Sequence, residues 1–261
     1  MKILACDTSN RACSSCLLSD GNVIDTRFLN NGLTHSQTFM PQVHDLMESN
    51  GEKYEDLDAL ACTVGPGSFT GIRIGVSAVK TMALVLGKPA IPVSSLAAMA
   101  YPLSSENALV VPMIDCRNCR AWAGGFFHGK EVIPEGAAEV EKIAETCLSW
   151  RKENGPELPI VLIGNGGKML LDEISENIAF REGYDEIHSE AVAKMAEEVI
   201  SAFAGEKDPS KALLEKYPAS ALMPVYRAKT QAERMAKEQG KDVESVPIRY
   251  YSTNDIKEGR G

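Results

Sequence analysis

The sequence has 261 residues, of which 44% are hydrophobic and 24% charged; these are the proportions of one large folded domain or two small ones. Collagen-like, low-complexity and wholly disordered chains are excluded. Against 27 Lys and Arg stand 36 Asp and Glu, a formal charge of −9. An acidic chain is a poor binder of nucleic acid by itself, because that affinity rests on cations that neutralise phosphates. Work on RNA would need a partner to supply most of the positive surface.

No targeting or membrane segment is expected. The apolar run Ile3–Cys6 is cut by Asp7, and the run Val76–Leu86 is short and carries Lys80. The expected compartment is the cytoplasm.

In chain order, Ile3–Asp7 predicts a strand, Ala12–Leu18 a second and Val23–Ile24 a third, with a turn at Asp20-Gly21. Next come a helix over Ser36–Ser49, a strand over Leu57–Val64, a Gly-rich loop, a helix over Gly71–Leu86 and a strand over Ala90–Val93. The pattern then returns. Val110–Asp115, Ala121–Phe127 and Val132–Ile133 repeat the strand triplet, and Asp115 to Gly129 spans the same 14 positions as Asp7 to Gly21. A helix over Val140–Lys152, a strand over Ile160–Ile163, the loop Gly164–Gly167 and a helix over Lys168–Ser175 follow. Two related α/β halves of mixed sheets are expected. Their order resembles the actin-like ATPase superfamily, in which two such halves face each other across a nucleotide cleft. A last helix, Ser189–Ala204, carries Val192, Met195, Ala196, Val199 and Phe203 on one face and returns to cover one half. The expected boundaries are 1–104 with the returning segment 187–227, then 105–186, then a charged extension 228–261 read as a surface helix and tail.

Asp7 and Asp115 close corresponding strands, where such a fold would hold a Mg²⁺-phosphate group through water; alternatively each caps a turn. The first loop, Asp7-Thr8-Ser9-Asn10, has no glycine, which counts against a phosphate grip. Gly65-Pro66-Gly67-Ser68-Phe69-Thr70-Gly71 is the sharpest motif. It joins a buried-type strand to a helix, so its N–H groups sit at a positive helix end and could hold an anion, with Arg73 as an added cation. Ser68 or Thr70 could equally serve as an N-cap with no ligand. No Gly-Lys-Ser/Thr follows, so it is not a Walker loop.

The helix beyond this loop has two apolar stripes. One is Ile72, Val76, Val79, Ala83 and Leu86; the other is Ile74, Ala78, Met82 and Val85. The helix before it offers Phe39, Met40, Val43, Leu46 and Met47, with Pro41 either kinking it or marking its first turn. Either the two helices pack on each other, or they form a subunit interface. Cys13/Cys16 and Cys116/Cys119 have C-x-x-C spacing, yet the pairs lie about a hundred residues apart in strand-like stretches, which favours reduced thiols over a zinc site. His35 is followed one helical turn later by Phe39, which cannot ligate a metal, and His44 lies off its face.

Several of these strings together resemble the TsaB family. They are Ile3–Ser9, His35-Ser36 ahead of Phe39-Met40-Pro41, Gly65–Gly75, Val93-Ser94-Ser95-Leu96 and Pro224-Val225-Tyr226-Arg227. The resemblance covers residues 1 to about 227. It implies an actin-like fold with a poor or unused nucleotide site at Asp7, Thr8, Ser9, Gly65, Gly67, Ser68, Thr70, Arg73 and Asp115, with weak ATP, ADP or Mg²⁺ binding and no required cofactor or metal. It implies a noncatalytic subunit of tRNA threonylcarbamoyladenosine modification. Such a subunit pairs with the catalytic TsaD, is joined by the ATPase TsaE, meets tRNA only through the complex and forms a homodimer when alone. The expected partner interface is Phe39, Met40, Val43, Met47, Ile74, Ala78, Met82 and Val85. The alternatives are a small-molecule kinase or ATPase of the same fold, and a glycoprotease-like metallopeptidase, which the missing second histidine weakens.

Overall fold

The computed structural model describes residues 1–171 and 177–225. The first sheet is built from β1 (Lys2–Asp7), β2 (Cys13–Ser19), β3 (Asn22–Leu29), β4 (Ala59–Gly65) and β5 (Ala90–Ser94), in the order β3-β2-β1-β4-β5. The second uses β6 (Leu109–Asp115), β7 (Arg120–Phe127), β8 (Lys130–Glu139), β9 (Ile160–Ile163) and β10 (Ile178–Phe180), in the order β8-β7-β6-β9-β10. The orders are the same. In each sheet the first three strands form antiparallel hairpins, and the last two add parallel to the first.

Helices fill three layers around these sheets. On the outer face of the first lie α1 (His35–Ser49) and α2 (Phe69–Leu86). Between the sheets lie α3 (Ser95–Ala100) and, further along the chain, α6 (Ser189–Ser201); α4 (Val140–Asn154) and the short α5 (Lys168–Leu171) cover the outer face of the second sheet. A last helix, α7 (Pro209–Lys216), starts at Asp208, whose carboxylate accepts the Lys211 N–H, with proline in the first turn.

Strand alternation produces this layering. On β1, Ile3 and Ala5 face the middle layer with Ile91, Val93, Val110, Ile114, Val161 and Ile163, while Leu4 and Cys6 face α1 and α2. A strand apolar on both faces is what two-sided cover requires. This duplicated pair of covered mixed sheets is the actin-like fold.

Most elements lie where the sequence predicts them, with shifts of a residue or two at their ends. Pro41 lies inside α1 rather than in its first turn. The returning helix expected over Ser189–Ala204, α6, ends at Ser201. The expected helix to Ser175 and the extension 228–261 fall outside the described residues, apart from Lys168–Leu171. Three elements carry no clear sequence signal or were not anticipated: α3, β10 and α7. By length and apolarity α2 matches a membrane-crossing helix, longer than the run Val76–Leu86 suggested. Its inward residues Ile72, Val76, Val79 and Ala83 belong to the core under the first sheet. Its Lys80 donates to the carbonyls of Ser220 (2.7 Å) and Leu222 (3.1 Å).

Candidate functional site

Asp7 ends β1 in the interior, with 1% of its surface exposed. One carboxylate oxygen, Oδ1, accepts the Ser9 N–H (3.1 Å), the Ser9 hydroxyl (2.6 Å) and the Thr63 hydroxyl from β4 (2.5 Å). Among the described residues the other, Oδ2, has no partner. Burial is the larger effect and pushes the carboxyl up to about 6, against the pull of those three donors.

Thr8 and Ser9 then run straight onto the glycine motif. The Thr8 hydroxyl donates to the Gly71 carbonyl (2.8 Å), and the Ser68 N–H donates to the Ser9 carbonyl (2.7 Å). The glycines are there because the approach is close. A Cβ at Gly67 would lie 2.3 Å from the Ser9 carbonyl oxygen, one at Gly71 2.1 Å from that of Thr8, and one at Gly75 2.3 Å from the Thr8 hydroxyl. Ser68 is the N-cap of α2, its hydroxyl accepting the Gly71 N–H (3.2 Å). Thr70 is exposed. Arg73 lies over the Phe69 ring, 3.9 Å from its centre. Gly65, at φ +116°, leaves room for the Val225 carbonyl oxygen 2.9 Å from where a Cβ would be.

A phosphate grip needs N–H groups turned toward an open cradle. Here the space against these glycines is filled by the chain's own carbonyls, and the Ser68 N–H is used internally. At Gly67, Gly71 and Gly75 the loop is packed against the chain's own backbone and the Thr8 side chain. The motif is a clasp between the end of β1 and the start of α2. The second half has a counterpart: the Gly166 N–H donates to the Met113 carbonyl (3.0 Å), and the Asp115 N–H to Asn165 Oδ1 (2.9 Å). Asp115 itself is exposed, and its Oδ1 accepts the Arg117 N–H (2.7 Å), which makes it a turn residue.

His35 Nε2 is hydrogen-bonded to the Asn10 carbonyl (2.8 Å), and Phe39 one turn later is buried. Among the described residues no group of three His, Cys, Asp or Glu could hold a metal ion. The Cys13/Cys16 pair is split across the sheet, Cys13 packing under α1 and Cys16 in the layer between the sheets.

The expected interface residues divide into two sets. Phe39, Val43 and Met47 are buried beneath α1 in this chain's own core, as is Val79, so none of them presents surface. Periodicity marks a face as apolar and does not say what covers it. Met40 is 41% exposed, and Val85 is 81% exposed beside Leu84 at 55%. Ile74, Ala78 and Met82 are half-buried, packed at the margin of the core. One stripe of α2 is therefore sealed, and the other faces outward with its apolar side chains only partly covered.

One contact that sequence reasoning missed joins the halves. The Ser94 hydroxyl, N-cap of α3, donates to Glu135 Oε1 on β8 (2.6 Å). The partners lie 41 residues apart; only the position of Ser94 before a run of small residues hinted at a cap.

Two predictions follow from the clasp. Gly75→Ala places a methyl against the Thr8 hydroxyl and should destabilise the fold by about 1–3 kcal/mol; thermal unfolding reads this as a drop of several degrees, and an unchanged midpoint contradicts the close packing. Asp7 titrates near 6 when folded and near 3.8 when unfolded, so between these values the folded state binds the extra proton and stability falls as pH rises. Asp7→Asn should therefore gain on the parent between about pH 4 and pH 7, by up to about 3 kcal/mol. Parallel unfolding curves across that range would contradict the raised carboxyl.

Comparison with known proteins agrees with this fold. The family model described as "TsaD: tRNA N6-adenosine threonylcarbamoyltransferase" matches residues 32–257. The tRNA threonylcarbamoyladenosine biosynthesis protein TsaB of Escherichia coli K12 is 39% identical over 161 residues, covering 58% of this chain and 69% of that protein. Its Bacillus subtilis counterpart is 31% identical over 165 residues, covering 63% and 71%. Among solved structures, YeaZ from Pseudomonas aeruginosa superposes with a TM-score of 0.67 at 25% identity, over 86% of this chain and 99% of that one. With a buried clasp at the strand end and these relatives across most of its length, the chain belongs to the TsaB family.

Proposed function

We propose that this chain serves tRNA threonylcarbamoyladenosine biosynthesis as a noncatalytic subunit, and that it presents α2 to a TsaD-like catalytic partner. The carrying observation is the outer stripe of α2. Ile74, Ala78, Met82 and Val85 form an apolar helix face that the chain's own fold covers only in part. A partner helix laid on that face would bury it in the manner of a subunit interface. Met40 on the neighbouring α1 extends the set.

The clasp supports the accessory role. It seats α2 against the end of β1, and the nucleotide and transfer chemistry belong to the TsaD-like subunit and a TsaE-like ATPase. The formal charge of −9 fits a subunit that meets tRNA through the assembly rather than directly. Without the catalytic subunit, the same face pairs two copies of this chain. The half-domain boundaries at 104/105 and 186/187, with the returning segment closing the first half, belong to the same reading, as does a cytoplasmic location.

The test is Val85→Glu, which changes an exposed side chain and spares the core. A buried valine contributes roughly 1.5–3 kcal/mol, so the dissociation constant for the TsaD-like subunit should rise at least about tenfold. At concentrations low enough to keep the parent monomeric, the unfolding midpoint should stay within about a degree of the parent, since surface substitutions are nearly neutral. Sedimentation of the mixed subunits checks the first and thermal unfolding the second. Unaltered pairing by a folded variant would reject this interface.

A further inference from the structure

The turn between β6 and β7 carries Cys116 and Cys119, which the function above leaves unused. Arg117, Asn118 and Cys119 follow one another at φ of 71°, 56° and 54°. Three successive non-glycine residues in the left-handed region are disfavoured and persist only where the surroundings enforce them. Here several bonds do so. The Arg117 N–H donates to Asp115 Oδ1 (2.7 Å), the Cys116 N–H to the Arg120 carbonyl (3.1 Å), the Arg120 N–H to the Arg117 carbonyl (3.3 Å), and the Val140 N–H to the Cys119 carbonyl (3.1 Å). The last of these ties the tip to the start of α4.

A four-residue turn with its two central residues at positive φ brings its ends within about 7 Å, which overlaps the roughly 4.4–6.8 Å between Cα atoms that a disulfide accepts. The same spacing at Cys13/Cys16 lies on a strand and sends the two side chains to opposite faces. Of the seven cysteines, five are buried, Cys116 is half-buried and Cys119 is exposed.

We propose that Cys116 and Cys119 form a redox-active dithiol that hydroperoxides convert to an intramolecular disulfide. The Cys119 thiolate attacks a peroxide oxygen; the O–O bond breaks and hydroxide leaves, taking a proton to become water. The resulting sulfenic acid is attacked at sulfur by the Cys116 thiolate; the S–S bond forms, the S–O bond breaks, and a second water leaves. Two thiols lose two electrons and two protons, and one hydrogen peroxide becomes two waters. The preset turn makes the second step intramolecular with little further ordering, and a thiol reductant reverses it.

The full chain, fully reduced and then treated with a small excess of hydrogen peroxide, tests this. After alkylation, trypsin cleaves at Arg117 between the two cysteines, so the bridge shows as two peptides held together and separated by dithiothreitol. The expected product is this linked pair, about 2 Da below the two reduced peptides, with no link between Cys13 and Cys16 in the folded protein. In Cys116→Ser the bridge should vanish, and Cys119 should proceed to sulfinic acid or join a second copy. In the parent chain, a Cys119-linked dimer, sulfinic acid at Cys119 without the bridge, or two unreacted thiols would each overturn the proposal.

Discussion

The contact on which this architecture turns is the approach of Thr8 and Ser9 to the glycines at the start of α2. Two backbone carbonyls and one hydroxyl occupy the places where side chains would stand at Gly67, Gly71 and Gly75. This seats the helix against the end of β1 closely enough that a single methyl cannot be added without displacement. The motif is thereby a structural fastener, and one oxygen of the buried Asp7 is held by Ser9 and Thr63.

Seating one face of α2 leaves the other to be used. Ile72, Val76, Val79 and Ala83 belong to the core, while Val85 and Leu84 stand out from it. The helix is as apolar as a membrane segment because it carries two apolar faces, of which one is buried within the chain. The duplicated sheets frame this arrangement. Each has the same strand order and an outer helical layer, and α3 and α6 are shared in the space between.

Much of this was legible in the residues. Ile3–Asp7 and Val110–Asp115 read as apolar strands, and the echo between them exposed the duplication. The two stripes of α2 were visible as periodicity. Their fates were not, because 3.6-residue spacing marks an apolar face without naming its neighbour. Hence Phe39, Val43 and Met47, which share the periodicity of an interface, lie in the chain's own core. The helix α3 was hidden for a related reason: all six of its residues are buried, so it has no polar side to supply contrast. Contacts such as Thr63 to Asp7 and Ser94 to Glu135, separated by 56 and 41 residues, depend on the folded register and leave no local trace.

The central claim is that the outer face of α2 is where a catalytic sister subunit docks. Methyl resonances of the methionines report it directly, since Met82 lies on that face and Met40 is exposed on α1, while Met99 and Met113 are buried away from it. On addition of the TsaD-like subunit, the account predicts shifted or broadened signals from Met82 and Met40 and little change at Met99 and Met113. A complex that forms with Met82 and Met40 undisturbed would contradict it.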